Sequence, residues 1–231
     1  YLGVAMLGTN ALAPALTEPV AATLGWPWAF AFAGLAPALA LTLLPQLPKQ
    51  PERVASTDSA PQRWSQRLVA CYYAALLTGV GIGVMFTFVQ PYVLSQGAER
   101  VGALFVGHVA AAMTTRLTLG RMIDRLGPPR VTVVSQVFYA ATVTAAAAVT
   151  PATLLPLGLA LGVSHGLLYP ALTATALRVV TPAHRSTFLG RFGCAFNSGF
   201  ALATLTLGAV ADRAGYATLF VGCGALLATG P

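Results

Sequence analysis

Long apolar blocks separated by short charged connections are the dominant feature of this 231-residue chain. A helix needs about 20 mostly apolar residues to cross the hydrocarbon core of a bilayer. Only 8% of the residues are charged, whereas about 25% is typical of a soluble domain with a polar surface. We therefore predict an all-α membrane protein with about eight transmembrane helices, at residues 1–24, 28–44, 68–94, 101–119, 131–149, 153–177, 187–210 and from 216 onwards.

The basic residues are distributed as expected for connections between membrane spans. Of the 13 Lys and Arg residues, 11 lie in alternate connections, whereas Arg100 and Arg213 lie in the others. By the positive-inside rule, the arginine-rich side is cytoplasmic. Because topology accounts for the net charge of +7, we expect no nucleic-acid partner. Twelve of the 13 basic residues are Arg, which is typical of GC-rich bacterial genes, so we expect a multi-pass protein of a bacterial inner membrane.

Residues 45–66 form a long hydrophilic interruption between the apolar blocks. This stretch contains Ser, Thr, charges of both signs and four prolines, at positions 45, 48, 51 and 61. Such a composition is typical of a flexible linker. We predict that it joins two helical bundles on the cytoplasmic side.

An internal repeat lies in the part of the chain that follows this linker. Residues 117–127 and 205–215 both read L-T-L-G-x-x-x-D-R-x-G, 88 residues apart. Each copy follows a predicted span, and the copies are three spans apart, which places them on opposite faces of the membrane. We therefore predict that spans three to five and six to eight are two inverted three-helix repeats that form a six-helix bundle.

The first copy is part of a short basic motif, formed by Gly120, Asp124, Arg125, Gly127 and Arg130. We expect Gly120 to allow close packing of a turn, and Asp124 to face the positive N-terminus of the next helix. Arg116, at the end of the preceding span, either joins this motif or extends to the lipid phosphates, and we favour the second interpretation.

This motif resembles the cytoplasmic loop motif G-x-x-x-D-R-x-G-x-(R/K)-(R/K) of the major facilitator superfamily, and it departs from that pattern at Pro129. Residues 25–30 (GWPWAF), 86–92 (FTFVQPY) and 165–172 (HGLLYPAL) are similar to the sugar- and drug-efflux branch of the superfamily. The resemblance implies a transporter of twelve helices, of which this chain is a fragment with the last eight.

Further expectations follow from the same resemblance. It implies that residues 1–44 are the last two helices of the N-terminal bundle, and that residues 67–231 are the C-terminal six-helix bundle. The earlier N-terminal helices of the same protein are then an expected partner. The loop motif, residues 120–130, is expected to be cytoplasmic and to hold the two bundles together in one state of the transport cycle.

Three polar side chains, His108, His165 and Asn197, lie close to the middle of their predicted spans. They either bond a neighbouring helix or line a cavity at the membrane midplane, where histidine can also exchange protons. A glycine stripe at positions 158, 162 and 166 lies beside His165 and lets another helix approach or leaves space for a substrate. Gln90 and Tyr169 complete the candidate substrate site.

These observations favour a secondary transporter that moves a small molecule by alternating access, with protons driving efflux. A membrane-embedded enzyme and an inactive remnant of a transporter are the alternatives. Five of the six acidic residues lie in connections or interfaces, and motifs such as HExxH or a P-loop are absent from the sequence. The three cysteines have no metal-binding spacing, so we predict no metal, no cofactor and no enzymatic activity.

Overall fold

Helices are the regular elements throughout the part of the chain that the structure describes. A computed structural model describes residues 20–21, 23–46, 65–98 and 101–230. The all-α prediction is confirmed for these residues. The principal helices are α1 (Trp26–Leu43), α2 (Gln66–Ser95), α3 (Gly102–Thr118), α4 (Gly120–Leu126), α5 (Pro128–Ala145), α6 (Leu154–Leu177), α7 (Arg185–Thr206) and α8 (Gly208–Leu227). Short 3₁₀ turns occur at Leu44–Gln46, Ala146–Ala148, Pro151–Thr153 and Pro182–His184.

Several of these helices are long and apolar enough to cross a membrane. Four described segments meet this requirement, namely Trp26–Leu43, Gln66–Ser95, Pro128–Ala148 and Pro151–Leu177. Helices α7 and α8 are long and apolar enough to cross a membrane only when they are taken together, and the pair is bent by 88°. Helix α3, with 17 residues, is shorter than the four segments named above. Most of the predicted first span lies outside the described residues. The number of eight spans therefore stays a prediction, whereas several of the described helices are long and apolar enough to be membrane spans.

The predicted end of the seventh span is wrong. The sequence pattern extends this span to Val210, but α7 ends at Thr206, where the chain bends. Apolar residues continue beyond the bend, in the first part of α8. Hydropathy alone therefore did not mark where the helix stops.

The chain divides into two compact units, Tyr1–Pro61 and Gln62–Pro231, and the boundary falls within the predicted linker. In the first unit, the described helix α1 exposes large apolar side chains, including Trp28 and Phe30. An apolar surface of this kind is costly in water but not in lipid, whose tails are as apolar as leucine.

Helix α2 is the centre of the second unit. It buries 16 of its 30 residues and packs against α5, α6, α7 and α8. Val84, Met85 and Val89 have no exposed surface, and they belong to the same apolar cluster as Tyr139 of α5 and Phe220 of α8. The surface of this unit is also apolar, because Val134 and Leu205 are 69% and 81% exposed.

The helix pairs of the second unit follow the internal repeat. Helix α3 packs mainly on α6, and α7 packs mainly on α2. Likewise, α5 packs on α6, and α8 packs on α2, while α5 and α8 pack on each other. Exchanging α2, α3 and α5 for α6, α7 and α8 therefore reproduces the main helix contacts of this unit. This arrangement supports two three-helix repeats whose corresponding helices occupy equivalent positions in the unit.

The two sequence copies also share a local backbone geometry. After α3, the seven-residue helix α4 is followed by Gly127, which has φ 87° and ψ 128°. After α7, the first part of α8 ends at Gly215, which has φ 82° and ψ 160° and interrupts the helix. Residues other than glycine are strained at such positive φ values. The repeated glycine therefore sets the angle between a short helix and the following span.

Asp124 makes no hydrogen bond that caps the next helix, and its expected interaction with the positive N-terminus of that helix stays a prediction. Its side chain is exposed on α4, and α5 begins at Pro128 with Gly127 as the N-cap residue, without any side-chain cap. Asp124 therefore does not cap the next span. Arg125 and Arg130 are exposed as well.

The glycine that ends each copy of the repeat, Gly127 or Gly215, should respond in the same way to replacement by alanine. Gly127→Ala and Gly215→Ala should each lower the free energy of unfolding by about 1–2 kcal/mol, because alanine is strained in the left-handed region. Gly120→Ala and Gly208→Ala are the controls, since these glycines have helical backbones and open space around them. The free energy of unfolding of all four variants can be measured in detergent mixtures by following the loss of helical circular dichroism. A loss of stability in the controls as large as in the test variants would contradict this explanation.

Candidate functional site

Two histidines lie side by side where α3 crosses α6. The crossing is close because Cβ atoms at Gly158 and Gly162 would meet the carbonyl oxygens of Leu104 and His108. The prediction that this glycine stripe admits a neighbouring helix is confirmed. As a result, the ring centroids of His108 and His165 are 5.6 Å apart.

Aromatic rings from neighbouring helices surround this pair. Tyr139 of α5 and Phe196 of α7 have ring centroids 6.1 and 6.4 Å from that of His165. On the other side, Phe86 of α2 lies edge-on to His108 at 5.3 Å. Elements from both repeats therefore enclose the histidines, which are only 3% (His108) and 8% (His165) exposed.

The histidines have unused hydrogen-bonding capacity. Nδ1 of His108 and both ring nitrogens of His165 are buried and have no hydrogen-bond partner among the described residues. The neighbouring Tyr139 hydroxyl, by contrast, donates to the carbonyl of Thr78 at 2.9 Å. A buried polar group without a partner typically costs about 1–3 kcal/mol. The pair is therefore able to bind a proton or a polar ligand.

Tyr169 extends this group by one helical turn along α6. Its ring centroid is 6.2 Å from that of His165, and it contacts Phe192 and Phe196 of α7 at 5.6 Å each. The side chain is partly exposed. Of the five residues predicted for the substrate site, the structure thus brings together His108, His165 and Tyr169.

Arg116 belongs to the same group of side chains. It lies in the last turn of α3, its Nε is buried, and it interacts electrostatically with Tyr169, His165 and His108. Arg116 as a whole is partly exposed, so the interpretation that it extends to the lipid phosphates stays a prediction. Its position near the end of a span fits both orientations, so sequence alone did not distinguish them.

The other two candidates lie elsewhere on the surface of the second unit. Asn197 is exposed on α7, where its Nδ2 donates to the carbonyl of Gly193 at 2.8 Å. Gln90 is exposed on α2 beside Pro91, and the helix continues past this proline to Ser95. Neither contacts the histidine pair by a hydrogen bond or ring contact, and their role in the substrate site stays a prediction.

The described residues contain no group of three or more His, Cys, Asp or Glu side chains that could hold a metal ion. The polar group in the second unit instead consists of two imidazoles, a tyrosine and an arginine, inside a helical bundle with an apolar surface. These features define a helical membrane protein with several candidate spans and a small group of polar side chains within an apolar interior.

Comparison with known proteins identifies the family. The model of the Major Facilitator Superfamily matches residues 94–230, more than half of the chain. The chain therefore belongs to this superfamily, whose members are transporters, and it is a membrane transporter with a small-molecule substrate. No solved structure matches the chain.

Proposed function

We propose that the protein is a secondary active transporter that exports a small molecule in exchange for protons by alternating access. The pairing of His108 and His165 is the observation that carries this proposal. Both rings lie in the bundle interior, and histidine is the side chain that most readily changes its protonation near neutral pH. The charged and titratable groups around them are Arg116 on α3, Tyr139 on α5 and Tyr169 on α6.

Among the described residues of the second unit, the lack of a buried carboxylate supports a role for this histidine pair. In the described stretches 65–98 and 101–230, the acidic residues are Asp124 and Asp212, and both are exposed. Within the described part of the second unit, the histidines are therefore the groups best placed to carry a proton through the interior.

The proposed topology rests on the resemblance and the charge distribution. We place the linker 45–66 and the loop 120–130 in the cytoplasm, in the inner membrane of a bacterium. By resemblance to the sugar- and drug-efflux branch, the two units correspond to the end of the first bundle and to the second bundle of a twelve-helix transporter. Asn197 and Gln90 contact the substrate at the surface of the second unit in this proposal.

The exposed loop motif fits a gating role. Asp124 and Arg125 lie on the surface of α4, where they are available for contacts that change during the transport cycle. The resemblance supports such a role, in which the motif stabilises one of the two states.

Proton coupling can be tested in inverted membrane vesicles that contain the full-length protein. The vesicles are acidified inside, and the fluorescence of a pH-gradient dye is followed while sugars, aryl carboxylates and quaternary amines are added. We expect at least one compound to dissipate the gradient. His165→Asn should reduce this response about 100-fold or more, the lower end of the range that general acid–base groups contribute.

His184→Asn is the matched control for this experiment. His184 lies in a 3₁₀ turn outside the predicted spans, where its Nδ1 is 2.9 Å from the Thr181 hydroxyl. This variant should keep the full response. Transport of the compound that persists after an ionophore collapses the gradient would exclude proton coupling. An unchanged response in His165→Asn would remove that residue from the mechanism.

A further inference from the structure

A continuous row of aromatic and imidazole rings crosses four helices of the second unit. Phe105 of α3 contacts Phe86 of α2 with ring centroids 5.2 Å apart, and Phe86 in turn contacts His108 of α3 at 5.3 Å. The row continues through the two imidazoles to Phe196 of α7 and Tyr169 of α6. The rings at both ends are partly exposed, whereas the histidines at the centre are buried. The row therefore presents flat apolar rings to a molecule that approaches from either end.

The imidazole of His165 provides the polar part of this row. The side chain is only 8% exposed, and neither ring nitrogen has a hydrogen-bond partner among the described residues. Most buried polar groups in proteins are paired, so an unpaired buried ring indicates a ligand or an ordered water molecule. A neutral imidazole offers one N–H donor and one acceptor. A group that satisfies His165 therefore has to accept one hydrogen bond and donate another.

Two other buried polar side chains beside the row are already satisfied. The hydroxyl of Tyr139 donates to the carbonyl of Thr78 at 2.9 Å. Ser164, the residue before His165, donates to the carbonyl of Ala160, also at 2.9 Å. In the described structure, His165 thus bonds no neighbouring helix, which is the role that the sequence left open for it. Its hydrogen-bonding capacity is available to a ligand.

An apolar cavity of about 480 Å³ between α5 and α6 is the competing place for an aromatic molecule. It is lined by Phe138 and mostly by small or apolar side chains. The hydroxyl groups of Thr142 and Thr153, which also line it, donate to carbonyls four and three residues earlier in the chain. Neither hydroxyl proton is therefore available to a ligand. The row around His165, which offers both a donor and an acceptor, is the better site for a ring that carries a polar group.

We propose that this row binds the transported substrate, and that the substrate is a flat aromatic molecule with a hydroxyl or amide group that both donates and accepts a hydrogen bond. The polar group pairs with His165, while the ring packs against Phe196 and Tyr169, since aromatic rings favour offset and edge-on contacts. Rotation of one of these two partly exposed side chains opens the way to the imidazole. This inference rests on the proposed function as a small-molecule transporter and adds the chemical class of the substrate.

Equilibrium dialysis of the full-length protein in detergent against radiolabelled phenol, anisole and cyclohexanol tests this proposal, with protein-free micelles as the blank. The experiment is carried out at about pH 8, where an unperturbed imidazole is neutral. Phenol should bind best. Anisole cannot donate a hydrogen bond and would leave one ring nitrogen unpaired, so we expect it to bind about tenfold more weakly. Cyclohexanol has the hydroxyl group but no aromatic ring, and it should bind several-fold more weakly than phenol.

Three substitutions separate the polar part of the site from its aromatic part. His165→Phe keeps a flat ring but removes both nitrogens, so its affinity for phenol should fall about tenfold, to that for anisole. His165→Asn restores a donor and an acceptor on a shorter side chain and should recover part of the preference for phenol. Phe196→Leu keeps an apolar side chain without a ring, and it should weaken the binding of phenol and anisole alike, several-fold.

Phe138→Leu is the matched control for Phe196→Leu, because Phe138 is 41% exposed on α5 and lines the apolar cavity instead of the row. It should bind phenol like the natural protein. If His165→Phe does not fold, the comparison of Phe196→Leu with Phe138→Leu decides the outcome. A loss of phenol binding in Phe138→Leu as large as in Phe196→Leu would place the probe in the cavity and overturn the proposal.

Other results would overturn it as well. They are no binding of phenol, equal binding of phenol and anisole, as expected if an ordered water satisfies the imidazole, and an unchanged preference for phenol in His165→Phe. Because no proton gradient is present, this experiment is independent of the dye assay. A failure of coupling with intact phenol binding would reject the proton mechanism alone.

Discussion

Replacing Gly162 by Val should unfold the second unit at a much lower temperature than the natural protein. A Cβ atom at this position would meet the carbonyl oxygen of His108, and it would lie 2.6 Å from Cβ of Ala111 and 2.9 Å from the amide nitrogen of Ala112. These atoms belong to, or are fixed on, the backbone of α3 and cannot rotate away. Because α3 and α6 would have to separate along their length, we expect a loss of about 3 kcal/mol or more.

A thiol-reactive fluorophore can measure this loss during heating. Cys71 and Cys223 are buried and become reactive on unfolding, whereas the exposed Cys194 would be removed by Cys194→Ser. Gly222→Val is the matched control, because its Cβ would meet no atom within 4 Å. An equal decrease of the unfolding temperature in the two variants, or no decrease in Gly162→Val, would show that the close approach of α3 and α6 is unimportant for stability.

The same crossing illustrates what the sequence predicts well. The spacing of four residues between the glycines at 158, 162 and 166 predicted either a close helix contact or space for a substrate, and the structure shows the contact. The position of His108 and His165 near the middle of their predicted spans is compatible with the contact that the structure shows between them.

The direction in which a side chain points was harder to predict. Asn197 lies as close to the middle of its span as the histidines do, yet it is exposed. Membrane helices are apolar on the face towards lipid as well as on the face towards the core, so the pattern of apolar residues does not distinguish the two faces. For Arg116 the sequence also leaves two orientations open, because a long side chain near the end of a span can point inward or extend to the lipid phosphates.

The internal repeat predicted more of the fold than hydropathy did. The residues from 205 to 215 appear apolar enough to continue a span, but the earlier copy already contained a connection at the corresponding place. Using the repeat to set the boundary would have ended the seventh span near Thr206, where α7 does end. Local backbone geometry, in particular the positive φ of Gly127 and Gly215, is shared between the copies because both need glycine for the same bend.

Replacing Gly199 by Val should detach α7 while the rest of the second unit stays folded. The Cβ atom would meet the carbonyl oxygen of Leu76 and would lie 2.8 Å from its carbonyl carbon and 3.1 Å from the amide nitrogen of Val80. Helix α7 depends on this contact, because it packs mainly on α2 and buries only four of its 22 residues, Phe188, Phe192, Gly199 and Ala203. Overpacking of this kind costs about 2 kcal/mol.

Hydrogen–deuterium exchange in detergent distinguishes local detachment from global unfolding. A local opening that becomes about 2 kcal/mol easier raises exchange about 30-fold, and we expect this rise in α7 while α3 and α6 stay protected. Gly193→Val is the matched control on the same helix, because its Cβ would meet no atom within 4 Å. Faster exchange in all helices would mean that α7 is part of the global folding unit. No change in exchange would mean that α2 and α7 can move apart at little cost. The α2–α7 crossing would then contribute less to stability than the corresponding α3–α6 crossing.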